Sequence, residues 1–516
     1  MPISLPEITL NILSATTSVE NQAQKVLFVG QKTSAGSATP GALYANILND
    51  QSWNGLFGEN SMLAAMLRSA RALNQVTEFD AIPLADDGGA SPALGTVLFT
   101  GPASDNGTIT VNIGSSVNHS YILNITDTET ATAIGAALTA AITADLTCPV
   151  TAVNTTGSVA LTAVNYGLEG NTISIEILGS VPGVGVTLTA MTGGATNPDL
   201  TTLFDVITNT RYQTIVFPNT YSSTVLIDYL DGLFNVDNAI MDGVGIQSDT
   251  DTYSNILSTV TALNSQSYVL LANNSIVGNA LYSGSSLLEL GYVISSEFAA
   301  LRSLRLTAGA NISGIVTASV SSADTIGGPA IASLPYFNTP FANLPLIGNG
   351  NEFSQVEIDS LNSEGASILS NNLSLTSIIA GNIVTTYKFD SASNPDVSFK
   401  YLEYVDTISN IREYYFNNLK ARFSQCRLTT GDLQPGRTMA NQQLIEAYCT
   451  QLYVDLAGPD FVLTVAGEAA LVYYKNNLQI TLNLSTGLVT IYMVTPIVTQ
   501  LRQIIGTIKL SFNTNG

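Results

Sequence analysis

One pattern runs through this chain, stops, and starts again. It opens with Val26–Val29 (VLFV), a buried-type strand ending at Gly30. Met62–Ala72 (MLAAMLRSARA) follows as a good helix former, and Glu78–Leu84 (EFDAIPL) as the next strand. From about Gly95 to Thr192 aromatic residues almost vanish, while Thr, Val and Ile dominate. From Leu200 the first pattern resumes. Thr214–Phe217 (TIVF) reads as a strand, Val225–Leu233 as a helix, Ala239–Val244 as a strand, Tyr253–Leu263 as a helix and Tyr268–Ala272 as a strand. Alternating strands and helices argue for an α/β layer. A pattern that halts and restarts leaves one economical solution: a discontinuous α/β core with a β-rich domain inserted into it.

Within the interruption, Thr108–Ile113 (TITVNI) and Tyr121–Ile125 alternate with the period of a half-buried strand. Thr126–Glu129 has capping-box spacing ahead of an Ala-rich helix with Ile134, Leu138 and Ile142 on one face. Strands are expected at Val150–Val153, Val159–Val164 and Ile173–Leu178. Further on, Ala308–Ser322 is Gly/Ala/Ser-rich and uncharged, and Pro329–Pro345 reads as a Pro-punctuated loop over a surface. Ile378–Lys388 reads as a turn then a strand. Leu402, Val405, Ile408, Ile411, Tyr415 and Leu419 mark a long amphipathic helix, and Leu444, Ile445, Tyr448, Leu452 and Leu456 a second. Leu478–Leu484 is a strand.

Both ends read as strands. Leu488–Val494, a Thr495–Pro496 helix start, an apolar helix face at Ile497, Val498, Leu501, Ile504 and Ile505, and a stop at Gly506 precede the alternating row Ile508, Leu510, Phe512. Near the other end Ile8, Leu10 and Ile12 alternate with Glu7, Thr9 and Asn11. A terminal strand must pair with something, either in its own subunit or in a neighbour, and strand chemistry alone leaves both open.

Charged residues make up only 11% of the chain, against roughly 25% in ordinary soluble proteins. A subunit packed against many neighbours would have such a surface, because each buried charge is costly. The net charge is −22 and no run of Lys or Arg occurs, which excludes the basic footprint of a nucleic-acid binder. The start, MPISLPEITLNIL, has no signal-peptide pattern. Asn476–Leu501 carries no charge, but its recurrent Asn, Gln, Thr and Ser argue against a membrane span. Cys148, Cys426 and Cys449 are odd in number and widely spaced, so free thiols are expected rather than a disulfide framework.

No catalytic, cofactor or metal site emerges. The sole histidine, His119, lies between two expected strands and reads as an exposed loop residue. One His and three scattered Cys do not match the spacing of the usual Cys/His zinc sites. Gly30-Gln31-Lys32-Thr33 follows a strand, but the upstream glycine of a phosphate loop is missing. Asp86-Asp87 before Gly88-Gly89 reads as a solvated turn. Asp237, Asp249 and Asp251 are placed in loops, without the spacing of a calcium loop.

Against this background several stretches resemble the contractile tail sheath proteins of Mu-like bacteriophages. They are Ile383–Tyr387 (IVTTY), then Tyr401-Leu402 and the helix to Leu419 through Ile411-Arg412-Glu413-Tyr414, and then Phe423, Arg427-Leu428 and Gly431-Asp432. Pro496, Gln500-Leu501-Arg502 and Phe512 match the family's ending. Val26–Gly30, Leu56-Phe57-Gly58, Met62–Ala72 and Pro83-Leu84-Ala85 match its opening. GTITVNIG, TATAIGAALTAAI and NYGLEGNTISIEI are similar to a β module common in such sheaths. The chain departs from the family at Thr438-Met439, where Thr-Pro is frequent, and in being acidic and Arg-poor.

The resemblance implies a mixed α+β and α/β multidomain fold: a discontinuous sheath core with an inserted β-rich domain and terminal strand arms. The expected division is an N-terminal arm over 1–22, core over 23–90, inserted domain over 91–197, core over 198–395, C-terminal sheath domain over 396–505 and C-terminal arm over 506–516. It also implies a non-enzymatic subunit that polymerises in stacked hexameric rings around a tail tube, contacting tube, baseplate and terminator proteins, without nucleic-acid contact or membrane insertion. Such a subunit would be assembled in the host cytoplasm and reside in the virion. Ile8, Leu10, Ile12, Ile508, Leu510 and Phe512 are then the expected inter-subunit strand residues. The sheath of a genome-free injection device, such as a bacteriocin or secretion machine, is the first alternative, and a β-rich adhesin the second.

Overall fold

The computed structural model describes residues 24–207, 210–234, 242–274, 280–281, 289–308, 336–341, 343–347, 352–375, 377–433, 438–456, 464–465 and 468–495. In chain order, β1 (Lys25–Gln31), α1 (Asp50–Phe57), α2 (Met62–Leu73) and β2 (Glu78–Leu84) come first. Then follow β3 (Leu94–Thr100), β4 (Gly107–Ile113), β5 (Ser115–Ile125), α3 (Ala131–Ala144), β6 (Val150–Thr155), β7 (Ser158–Ala163), β8 (Ile175–Leu178) and β9 (Gly185–Thr192). Next are β10 (Thr214–Val216), α4 (Ser223–Leu233), β11 (Val244–Asp251), α5 (Tyr253–Thr261), β12 (Tyr268–Asn274), β13 (Ala280–Leu281) and α6 (Gly291–Ala308). After these lie β14 (Pro340–Phe341), α7 (Gln355–Glu364), β15 (Ala366–Asn371), β16 (Ile378–Ala380) and α8 (Leu402–Phe423). The described chain closes with β17 (Arg427–Leu428), β18 (Met439–Ala440), α9 (Gln442–Leu456), β19 (Thr464–Val465), β20 (Glu468–Ala469), α10 (Ala470–Asn477), β21 (Gln479–Asn483) and β22 (Leu488–Tyr492).

The main sheet has eight strands in the order β14-β16-β15-β12-β11-β10-β1-β2, parallel except where β16 and β14 join at one edge. Strand β1 lies between β2 and β10, so this sheet draws on chain from both sides of the aromatic-poor stretch. Its strands are largely buried, because helices cover both faces. Val26 and Phe28 join residues of α2 and α6 in one core, while Leu27 and Val29 join residues of α4, α5 and α7 in another. The aromatic-poor stretch builds the four-stranded sheet β6-β7-β3-β9 and three strands of a second, β13-β8-β4-β5, whose edge strand β13 comes from Ala280–Leu281; Ile134, Leu138 and Ile142 of α3 are buried in this region. The architecture is mixed α/β, as the alternation indicated.

Several local expectations are corrected. The strand expected at Ala239–Val244 begins at Val244 and runs to Asp251, so Asp249 and Asp251 are strand residues. Polar SDTD does not end it, because Gly245–Asp251 pairs residue by residue with β12. Asp237 lies outside the described residues. His119 sits inside β5 and is buried, since β5 continues back to Ser115 and its ring meets Asp145 at the end of α3. Helix α3 is capped by Thr130, whose hydroxyl accepts from Ala133 N–H, while Thr126 and Glu129 bond to each other one turn earlier. A 3-10 turn at Leu168–Thr172 delays β8 to Ile175. The described part of Pro329–Pro345 is not a plain surface loop: Tyr336, Thr339, Phe341 and Leu344 are buried, with Tyr336 and Phe341 around Phe298, while Phe337 and Asn338 are exposed. In Ile378–Lys388 the strand comes first, as β16, and irregular chain follows.

Candidate assembly interface

Open α/β sheets usually bind ligands in the crevice beyond the carboxyl ends of their strands. Here that position is filled by polar groups of the β3–β9 stretch and the loops around it. Gln31, at the end of β1, donates from Nε2 to Asp86 Oδ1 and to the Tyr166 carbonyl, both at 2.6 Å. Glu169 Oε2 accepts from Thr220 N–H at 3.0 Å and Thr220 hydroxyl at 2.8 Å, and Asn197 Nδ2 donates to Thr220 O at 2.8 Å. Asn219 Nδ2 donates to Asp249 Oδ1 at 2.9 Å. Burial and the nearby Asp251 push the Asp249 carboxyl up to about 6. Asp86, half-buried and bonded to Gln31, is less solvated than a plain turn residue.

The opposite, amino-terminal ends of β10 and β11 carry a charged cluster that anchors α8. Arg302 of α6 pairs with Asp406 of α8, its side chain 4% exposed and that of Asp406 0%. Tyr336 donates its hydroxyl to the other Asp406 oxygen at 2.7 Å, and Arg302 Nη1 donates to Gln213 O at 2.6 Å. One to two turns along, Arg211 Nη1 meets Glu413 Oε2 at 2.8 Å, its Nη2 donates to Ser409 Oγ at 3.0 Å, and its Nε donates to Asp242 O at 3.0 Å. Ser409 also donates to Asp242, and Arg412 lies 3.5 Å from it with its guanidinium over the Phe234 ring. Buried charges persist only when paired and hydrogen-bonded, and each acid here has an arginine partner.

Helix α8 thereby belongs to two cores. Leu402 and Val405 pack with the main-sheet cluster, whereas Ile411, Tyr414 and Tyr415 join Ile445, Cys449, Leu452, Tyr453, Ala470 and Tyr474 in a second. Tyr453 and Tyr474 stack at 4.2 Å between centroids, and the Tyr474 hydroxyl lies 3.1 Å from that of Tyr415. On this second core sits the hairpin β21–β22, paired antiparallel from Gln479↔Tyr492 to Asn483↔Leu488. Ile480, Leu482, Val489 and Ile491 face inward, and Gln479, Thr481, Asn483, Leu488, Thr490 and Tyr492 outward.

That hairpin is a two-stranded sheet with both edges open among the described residues. Neither strand carries a charge or a proline, the usual guards of an exposed edge. Two strands alone are marginal in water. The arrangement can accept further strands. The residues expected to supply them, Ile8, Leu10, Ile12, Ile508, Leu510 and Phe512, lie outside the described residues. Sequence reading found both hairpin strands but not that they pair with each other. It missed the arginine joint altogether, although seventeen Lys and Arg in the whole chain made Arg412-Glu413 in mid-helix a usable signal.

A scan against models of known protein families finds no match. Among solved structures, the sheath tail protein of Listeria innocua gives a TM-score of 0.46 at 11% identity, covering 93% of this chain and 94% of its own. The sheath tail protein of Desulfitobacterium hafniense gives 0.46 at 10%, covering 95% and 100%. The contracted helical sheath of the anti-feeding prophage gives 0.46 at 13%, covering 100% of both. Among curated proteins, the Mu-like prophage FluMu tail sheath protein of Haemophilus influenzae is 28% identical over 203 residues, 38% of this chain. The match spans 41% of that relative's length. The resemblance read from the chain's own motifs is thus borne out by sequence: this chain is similar to a tail sheath protein of the Mu-like kind.

Proposed function

We propose that the chain is a structural, non-enzymatic subunit of a contractile phage tail sheath. It polymerises helically, as stacked hexameric rings, around a tail tube, meets baseplate and terminator proteins at the ends, and contracts to drive the tube through the host envelope. The tail-sheath relative supports the class. The open, uncharged hairpin β21–β22 carries the mode of assembly. In this reading residues 1–22 and 506–516 are arms that add strands to the hairpin of neighbouring subunits. Main-chain hydrogen bonds then hold the lattice while the linkers bend. Residues 23–90 and 198–395 form the core, 91–197 the inserted domain and 396–505 the C-terminal domain. Contraction needs no nucleotide: the extended lattice is metastable, and shortening buries further subunit surface.

The decisive experiment joins microscopy with one arm variant. Purified protein should form hollow striated tubes in negative stain. Leu510→Pro removes a ladder donor and an apolar contact, so it should leave a soluble monomer with near-normal melting temperature that forms no tubes. A destabilised monomer that still assembles would refute strand addition between subunits. Persistent featureless monomers of the unmodified chain, with the tube protein present, would refute the sheath reading itself.

A further inference from the structure

The β3–β9 stretch gathers three different metal-binding donors that the proposed function does not use. His119 comes from the middle of β5, Asp145 caps the C-terminus of α3, and Cys148 stands just before β6. A ring nitrogen of His119, a carboxylate oxygen of Asp145 and the Cys148 sulfur all lie within 4.8 Å of one another. His119 Nδ1 is 2.8 Å from Asp145 Oδ2, and Tyr121 donates its hydroxyl to the same oxygen at 2.9 Å. The Tyr121 hydroxyl also interacts with the thiol. Asp145 and Cys148 belong to one tight turn, with Cys148 N–H bonded to Asp145 O at 3.2 Å. Two residues separate them, a gap at which paired zinc ligands commonly occur.

We propose that His119, Asp145 and Cys148 bind a divalent transition cation of the zinc class and so tie β5 to the turn after α3. The donor set suits a borderline-soft ion: imidazole nitrogen, carboxylate and thiolate together select zinc or its neighbours over calcium or magnesium. Metal–ligand bonds of about 2.0–2.3 Å imply ligand atoms roughly 3.3–3.8 Å apart in a tetrahedron. The present spacing brackets that range, so side-chain adjustments suffice. His119 and Cys148 are buried while the Asp145 side chain is 20% exposed, which leaves an entry path on its side. The fourth position falls to water or the Tyr121 oxygen. Binding takes the thiolate and so releases the thiol proton, and affinity falls in acid.

The site escaped the sequence reading because Asp145 was not weighed beside His119 and Cys148 as a zinc ligand. The test is titration of chelator-treated full-length protein with Co²⁺. One equivalent should bind, with a thiolate-to-cobalt charge-transfer band and the visible bands of four-coordinate geometry, and Zn²⁺ should displace it. Cys148→Ser should abolish the charge-transfer band. His119→Asn and Asp145→Asn should each lower affinity by more than the roughly 10–100-fold that an outer-shell partner is worth. Tyr121→Phe should stay within that range. Folding of each variant is checked by circular dichroism, and the His119 variant serves if Cys148→Ser does not fold. Absence of the charge-transfer band in the folded wild-type protein would overturn the proposal, leaving a hydrogen-bonded cluster only. So would a band that persists in Cys148→Ser.

Discussion

Asp406→Asn tests whether α8 is fastened to the main body by charge. The substitution keeps the shape of the side chain and removes its charge. It leaves Arg302, whose side chain is 4% exposed, without its ion-pair partner. An amide also presents a donor to either Arg302 or the Tyr336 hydroxyl, so one of the two contacts becomes donor against donor. Removing one member of a buried pair costs about 3–5 kcal/mol, against about 0–1 kcal/mol for an exposed one. Domain stabilities are only about 5–15 kcal/mol, so the loss is a large fraction. A chain with several cores need not unfold in one step. The appropriate measurement is therefore native-state hydrogen exchange along α8, supported by urea unfolding. Protection across Leu402–Asn410 should fall by the same 3–5 kcal/mol. The double replacement Arg302→Met with Asp406→Leu removes both desolvation costs and should restore stability to within about 1 kcal/mol or exceed it. If Asp406→Asn costs less than about 1 kcal/mol, or the double variant is no more stable than the single, the joint is not held by this pair.

Two further outcomes concern acids and caps. Burial, with the nearby Glu297 adding to it, pushes Glu289 up to about 8; burial likewise pushes Glu297 up to about 7, both from an ordinary 4.5. The folded state therefore holds more protons than the unfolded one between those limits, and stability should fall as pH rises from about 4.5 through about 8. Denaturant midpoints measured across that window should lose this slope in Glu289→Gln with Glu297→Gln, and an unchanged slope would assign it to other groups. Thr130→Ala removes the hydroxyl that caps α3 and should cost about 1 kcal/mol, whereas Thr126→Ala, one turn outside the helix, should cost measurably less in the same urea assay.

What could be read before folding followed from whether a segment's neighbours matter. β1, β2, α2, α8 and α9 were legible because their apolar periodicity is set by one face or by complete burial. Helix α6 was not. Its Ser295, Ser296, Glu297 and Arg302 are all buried, so no polar face betrays a helix packed against both the main sheet and α2. β11 was shifted because its second half is polar and is held by the β12 ladder rather than by side-chain burial. β3 and β9 pair with each other across the whole of residues 101–184, a distance over which local alternation carries no information. His119 was misplaced because its environment is supplied by Asp145, on an element that only the fold brings near. The open edges of the hairpin belong to the same class: pairing is a relation between segments, and each strand alone reads the same whether it is covered or not.

The sharing of α8 between two cores has a mechanical consequence. At 22 residues the helix is a rod of about 33 Å, clamped near its start by Leu402, Val405 and Arg302, at mid-shaft by Arg211 and the tyrosine cluster, and toward its far end by Leu419 and Phe423 packed on the core beneath the hairpin. A load applied at the hairpin edge therefore reaches the main sheet as torque along a stiff shaft, with little slack to absorb it. In the proposed lattice, compliance would be pushed outward, to whatever joins one hairpin to the next. A polymer of such units would change length by rotating whole subunits about their connections, and the strain of each step would be carried by main-chain ladders rather than by the packed interiors.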